Sequence, residues 1–221
     1  MKKIAFILSG CGGLDGTEVH EALYSFLAVK QLGCTYECFS IDKPQYRVNN
    51  FLTGKIVENE TRNVMQESAR LIRNGAIKNI AELKVDDFDI LFFPGGVGSA
   101  LNISTFFTKE NINGDENYAV DENVKQIINE FYRQKKPICA LCIAPMILAK
   151  SLNGITITIG NNQKISKIIE KTGNFHRDTE SGDICVDEKN KIITSPCFML
   201  ANSIEIIYNE AFKVVKKAIE L

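Results

Sequence analysis

Short apolar runs alternate along the chain with amphipathic stretches. Lys3–Leu8, Asp89–Phe93 and Pro137–Leu141 carry continuous apolar runs of strand length, the pattern of strands buried on both faces. After the first run, Val19, Ala22, Leu23, Phe26 and Leu27 recur at helical spacing, with Thr17 as a candidate cap and Gly33 as a stop. Thr61–Arg73, Asp121–Gln134 and Ile143–Leu152 predict further helices, and Tyr36–Ile41 a further strand. The alternation continues through Ile155–Ile159, Gln163–Lys171, Ile184–Val186, Ile192–Thr194 and Ala201–Ile219, while residues 44–60 predict a hairpin or an irregular excursion around Thr53-Gly54. Repeated strand–helix units with doubly buried strands imply an α/β fold, a parallel sheet with helices on both faces. No internal repeat, low-complexity tract or linker divides the chain, so residues 1–221 are expected to form a single domain.

Composition adds exclusions. Hydrophobic residues make up 45% and charged residues 24% of 221, enough for one sizeable core. Twenty-six basic against 27 acidic side chains leave a net charge of −1, which gives no electrostatic footprint for nucleic acid or an anionic membrane surface. The first apolar run is too short to span a bilayer. Seven cysteines without framework spacing argue for reduced thiols, and with no leader pattern a cytoplasmic location is expected.

In open parallel sheets, sites lie at the carboxyl ends of the strands. That rule singles out Ser9–Thr17, Pro94–Asn102 and Leu141–Pro145. The third places Cys142 between a buried strand and a helix, where a nucleophile elbow would lift the thiol off the sheet and favour thiolate; an inert buried cysteine is the alternative. Gly95-Gly96 admits backbone N–H groups to a reacting oxygen, or simply serves a tight turn. Asp15, Glu18 and Glu21 offer carboxylates that face the thiol as acid/base or complement a helix terminus. Cys11, His20 and Asn102 are possible site-lining residues, whereas His176 is expected to be structural.

Four collinear stretches, Ser9–Glu21 (SGCGGLDGTEVHE), Glu60–Val64 (ETRNV), Phe93–Asn102 (FPGGVGSALN) and Cys142–Pro145 (CIAP), together resemble the ElbB-like branch of the ThiJ/PfpI superfamily, proteins described as enhancing lycopene biosynthesis and amidotransferase-like. The likeness covers essentially the whole chain, Asp187–Pro196 included. It implies a flavodoxin-like, class I glutamine amidotransferase-like fold, usually a homodimer. It further implies Cys142 as the nucleophile, a first-loop glutamate bonded to it (Glu21 ahead of Glu18), and the Gly96 and Ile143 amides directed at the reacting oxygen. Amidotransferase and protease relatives use a His after the next strand, where this chain has Gly160-Asn161-Asn162-Gln163, so a Cys–His–Glu triad is not expected.

These readings converge on a cofactor-independent, glyoxalase-like enzyme acting on small 2-oxoaldehydes, with Cys142 anionic and Glu21 carrying the proton at rest. A non-enzymatic thiol sensor or interaction protein and an amide hydrolase or ammonia-transfer enzyme are the alternatives. No cofactor is expected, because a dinucleotide loop from Gly10 would need glycine where Asp15 stands. No metal is expected either. Cys139-x-x-Cys142 spans about 10 Å when extended, against a limit of about 7 Å for a disulfide, and lacks companion zinc ligands.

Overall fold

The computed structural model describes residues 1–111 and 114–221. Strands β1 (Lys3–Leu8), β2 (Thr35–Ser40), β3 (Ile77–Asn79), β4 (Ile90–Phe93), β5 (Ile138–Leu141), β8 (Cys185–Asp187) and β9 (Ile192–Ser195) form one sheet in the order β3-β2-β1-β4-β5-β9-β8. Every neighbouring pair is parallel except β8–β9, an antiparallel edge. Residues 4–8 of β1 and all of β4, β5 and β9 are buried, which requires cover on both faces. Helix α1 (Val19–Gln31) packs with the C-terminal α6 (Ile204–Glu220), and α3 (Glu122–Arg133) packs with α4 (Pro145–Ser151). This is the expected flavodoxin-like arrangement of a mostly parallel sheet with helices.

Several local expectations need correction. Thr61–Arg73 holds only a five-residue helix, α2 (Val64–Ser68), followed by tight turns. Ile72 there is extended, at φ −121° and ψ 126°, which ends helical geometry. Glu18, not Thr17, caps α1 by accepting from the Glu21 N–H; Thr17 instead holds the Ser9 amide across the first loop at 2.7 Å. Of the two alternatives for residues 44–60, the irregular excursion is the one observed, carrying the isolated bridges Pro44–Asn63 and Asn49–Ile56 without a hairpin ladder. The apolar Ile155–Ile159 run supplies β6 (Thr156–Ile157), which pairs with β7 (Phe175–His176) outside the main sheet, flanking α5 (Gln163–Lys171). Among the described residues no helix is long and apolar enough to cross a membrane.

The strand order fixes where chemistry can occur. From β1 the chain steps outward to β2 and β3, then returns to lay β4 on the other side of β1, so the loops after β1 and β4 diverge at a topological switch point. The loop after β5 lies beside them.

Candidate active site

The turn from β5 into α4 is sharp enough to force Cys142 into left-handed backbone, φ 57°. A cysteine pays for that geometry in strain, which neighbouring structure must hold in place. Its N–H is anchored on the Ser195 carbonyl at 2.9 Å, and the Ala144 N–H donates to Leu141 O at 2.9 Å, closing the turn before Pro145 starts the helix. The side chain is 8% exposed and forms part of the floor of a cavity of about 420 Å³. The Gly96 and Ile143 amides both point at its sulfur.

Two glycines make that approach possible. A Cβ on Gly95 would overlap both Glu21 Oε2 and Cys142 Cβ. Gly96 has φ 97°, and a Cβ there would enter the backbone of Gly16 and Glu18. The Glu18 N–H donates to the Gly95 carbonyl at 3.0 Å, locking the first loop to the second.

Glu21 is completely buried on the inner face of α1. One carboxyl oxygen accepts the Phe198 N–H at 3.3 Å. The other, Oε2, makes no hydrogen bond of normal geometry with any described residue and lies over Gly95 beside Cys142. Burial, reinforced by the charge of Glu18 and opposed by the Phe198 and Gly95 amides, pushes its carboxyl up to about 8. Burial also pushes the Cys142 thiol well above its ordinary value; an ionised Glu21 adds to this, and the Gly96 and Ile143 amides work against it. The expectation of a thiolate at rest near neutral pH is therefore corrected. The elbow's amides favour the anion, but desolvation outweighs them and the pair holds both protons at pH 7.

Glu18 and His20 face the cavity. His20 Nδ1 lies 2.9 Å from one Glu18 oxygen, while the other oxygen accepts the Glu21 N–H at 2.8 Å. The remaining sequence candidates lie elsewhere. Cys11 is half-buried and does not line this cavity; burial pushes its thiol up, among Glu67, Arg70, Asp15 and Arg62. Asn102 is a brace: its amide donates to the Ser9 and Asp15 carbonyls, both at 2.8 Å, and its oxygen accepts the Tyr46 N–H at 3.0 Å. His176 accepts the Ile159 N–H through Nε2, leaving its Nδ1 proton for Asp178 at 3.2 Å, a structural arrangement. Where a triad histidine would fall, Asn162 caps α5. Among the described residues no cluster of three or more His, Cys, Asp or Glu is placed to hold a metal ion.

Sequence reasoning missed the turn after β9. Phe198 and Met199 line the cavity, and the Phe198 amide holds Glu21. Behind them Glu210, fully buried on α6, accepts from the Gly182 and Cys197 N–H groups, both at 2.7 Å, and from the Ser195 hydroxyl. The signal was present, because Ser195-Pro196 ends another buried parallel strand at the same sheet edge.

No protein-family model matches the chain. The human protein named glutamine amidotransferase-like class 1 domain-containing protein 3, mitochondrial, is 36% identical over 228 residues, covering 99% of this chain and 83% of that one. The crystal structure of an Ehrlichia chaffeensis isoprenoid biosynthesis protein with amidotransferase-like domain aligns with a TM-score of 0.88 and 31% identity, covering 99% of each chain. A ThiJ/PfpI domain protein of Brachyspira murdochii shares the fold, with a TM-score of 0.59 at 16% identity over 99% of this chain and 97% of that one. The human relative and its rat and zebrafish counterparts are all named mitochondrial, which overturns the cytoplasmic expectation. Reduced thiols and a near-neutral charge do not separate the cytosol from other reducing compartments. Similarity along nearly its whole length, together with the shared fold, shows that the chain belongs to the class I glutamine amidotransferase-like family.

Proposed function

We propose that the chain belongs to the ElbB-like branch of the ThiJ/PfpI superfamily and converts 2-oxoaldehydes to 2-hydroxy acids without a cofactor, through Cys142 and Glu21. The observation that carries this is a strained thiol met by two amides and by a buried carboxyl with an unpartnered oxygen, at the floor of a cavity. In the reactive state the pair holds one proton, on Glu21. The thiolate adds to the aldehyde carbon, and Glu21 gives its proton to the resulting oxygen, forming a hemithioacetal. The Glu21 carboxylate then removes the hydrogen of that carbon and returns it to the neighbouring carbon, while the hemithioacetal hydroxyl proton passes to the neighbouring oxygen, leaving the thioester of a 2-hydroxy acid. The Gly96 and Ile143 amides stabilise the oxyanion of the intervening enediolate. Water cleaves the thioester, so the net change is one aldehyde plus one water to one hydroxy acid, with no external oxidant or reductant.

Amide transfer from glutamine fits less well. The segment that supplies a histidine in such relatives caps a helix here, and no Lys or Arg is among the described residues lining the cavity to hold an amino-acid carboxylate. Turnover of methylglyoxal and of glutamine, each measured on wild type and Cys142→Ser, tests the reading. Conversion of methylglyoxal to lactate that disappears in Cys142→Ser supports it. Glutamine hydrolysis alone, or no turnover of either with Cys142 oxidised by peroxide, refutes it in favour of the amidase or the thiol sensor respectively.

A further inference from the structure

The cavity above Cys142 is much larger than the smallest 2-oxoaldehyde needs. Its volume is about 420 Å³, whereas an apolar cavity of about 150 Å³ already holds benzene, and methylglyoxal has fewer heavy atoms than benzene. Its walls are Leu14, Val97, Phe107, Ile143, Phe198 and Met199. A contiguous apolar lining of this kind around a nucleophile marks a ligand site, because water held against it is released when an apolar group covers it. Polar side chains are confined to the Glu18–His20 pair on one wall. With no Lys or Arg among the described lining residues, a carboxylate or phosphate would find no partner, and Glu18 would repel it.

Phe107 gives the lining a direction. It is 44% exposed, and it also borders a second cavity of about 550 Å³ of mixed lining, where Val48, Ile56 and Val57 stand beside Arg47, Glu60 and Lys109, so the apolar surface ends at Phe107. Glu21 is buried and does not line the cavity; its free oxygen lies beside Cys142, over Gly95. A substrate whose carbonyl meets the thiol has apolar lining that reaches, with Leu14, to the exposed Phe107.

We propose that the site selects carbonyl substrates carrying an uncharged apolar tail of roughly six to ten carbons; six carbons fit in about 150 Å³, so such a tail and its carbonyl head fit within the cavity of about 420 Å³ with room to spare. The tail runs from Cys142 past Leu14 to Phe107. The inference rests on the reading of Cys142 as the nucleophile that attacks the carbonyl, and it adds the substrate class.

Two measurements separate the two ideas. The first needs no turnover. Alkylation of Cys142 by iodoacetamide is followed by mass spectrometry in the presence of acetamide, hexanamide, octanamide or octanoate. Protection is expected to strengthen by about two- to fourfold per added methylene, the scale of burying one such group, and octanoate is expected to protect at least about tenfold less than octanamide. Protection that does not grow with chain length overturns the apolar-tail inference, and equal protection by octanoate overturns the requirement for an uncharged ligand. The second measurement is kcat/KM along the series from methylglyoxal to 2-oxodecanal, expected to rise by the same factor per methylene before levelling. Protection by octanamide with no aldehyde turned over supports the tail site and refutes the glyoxalase-like chemistry. Methylglyoxal turnover that stays flat along the series refutes the tail site and leaves that chemistry standing. Phe107→Asp, a change at a side chain outside the core, should flatten the dependence on chain length in both assays; an unchanged slope overturns the assigned path.

Discussion

Replacing Glu21 by Gln should make the protein progressively more stable, relative to wild type, as pH rises from 4 to 9. Burial lifts the Glu21 carboxyl from an ordinary 4.5 to about 8 in the folded chain. Below pH 4.5 the folded and unfolded states both carry the proton, so the group is neutral to folding. Between the two values the unfolded chain releases the proton while the folded chain keeps it. Stability therefore falls with pH across that window and levels off above it. Integrated at 1.36 kcal/mol per pH unit, the loss is about 5 kcal/mol. Gln has nearly the same shape as the neutral acid and does not titrate, so this loss is absent in the variant. The comparison is best made in a Cys142→Ser background, which removes the thiol's own titration. Urea unfolding at half-unit pH steps yields the stability of each protein, and subtraction cancels every other titrating group. The difference should grow by several kcal/mol between pH 4.5 and 8 and then stay constant. A difference that does not vary with pH would show that Glu21 is ionised in the folded chain and that its burial does not govern it.

Three further expectations follow from the same geometry. Of the buried thiols, Cys142 alone is held in a cavity by two amides, so limited iodoacetamide should label it ahead of Cys34, Cys38, Cys139, Cys185 and Cys197; peptide mapping that finds any of these first contradicts the site. Gly95→Ala should cost roughly 1–3 kcal/mol in urea unfolding and slow Cys142 alkylation, because the added methyl meets Glu21 and Cys142 together; an undisturbed protein would mean the two groups are not that close. Glu210→Leu should destabilise by about 3 kcal/mol or more, because it strands the Gly182 and Cys197 amides and the Ser195 hydroxyl in the interior, whereas Glu210→Gln keeps acceptor capacity and should cost less; equal losses in thermal melts would refute the bonding role.

Most of the sheet was legible because doubly buried strands leave an apolar run that nothing else on the chain imitates. β1, β4 and β5 appear within a residue or two of their runs, and α5 spans the residues expected from its periodicity. The placing of Cys142 and Gly95-Gly96 was legible for a related reason, since each ends such a run and the carboxyl ends of neighbouring parallel strands lie at one sheet edge. The failures share a cause as well. Periodicity reports which side chains are buried but not what they are buried against, so the apolar Ile155–Ile159 run gave no sign that it pairs with Phe175–His176 instead of joining the main sheet. Cys11 and Asn102 sat in the right loops, yet a loop fixes only a neighbourhood. Asn102 turned inward to brace three backbone groups, while Phe198 and Met199 reached the cavity from a turn with no chemical signature. The state of the thiol was the hardest to foresee. An elbow and two amides argue for thiolate, but only the structure shows how completely water is removed from Cys142 and Glu21 together.

That shared burial ties stability to reactivity. Near neutral pH the pair holds both protons, and the first to leave, near pH 8, turns two neutral groups into a buried anion with one proton between them. The loss costs folding free energy because the anion is poorly solvated. The same loss creates the only state in which the sulfur can carry charge beside a neutral acid. Within that state the two positions compete. The Phe198 and Gly95 amides stabilise charge on the carboxyl, and the Gly96 and Ile143 amides stabilise it on the sulfur. Losing the second proton would place two negative charges side by side out of water, which burial and mutual repulsion oppose. A buried carboxyl with a free oxygen against a strained thiol is thus a poor choice for stability alone. It becomes intelligible when the proton that leaves is the one the chemistry needs to move, since a better-solvated Glu21 would stay ionised at pH 7 and would have no proton to give to the oxygen formed by thiolate attack.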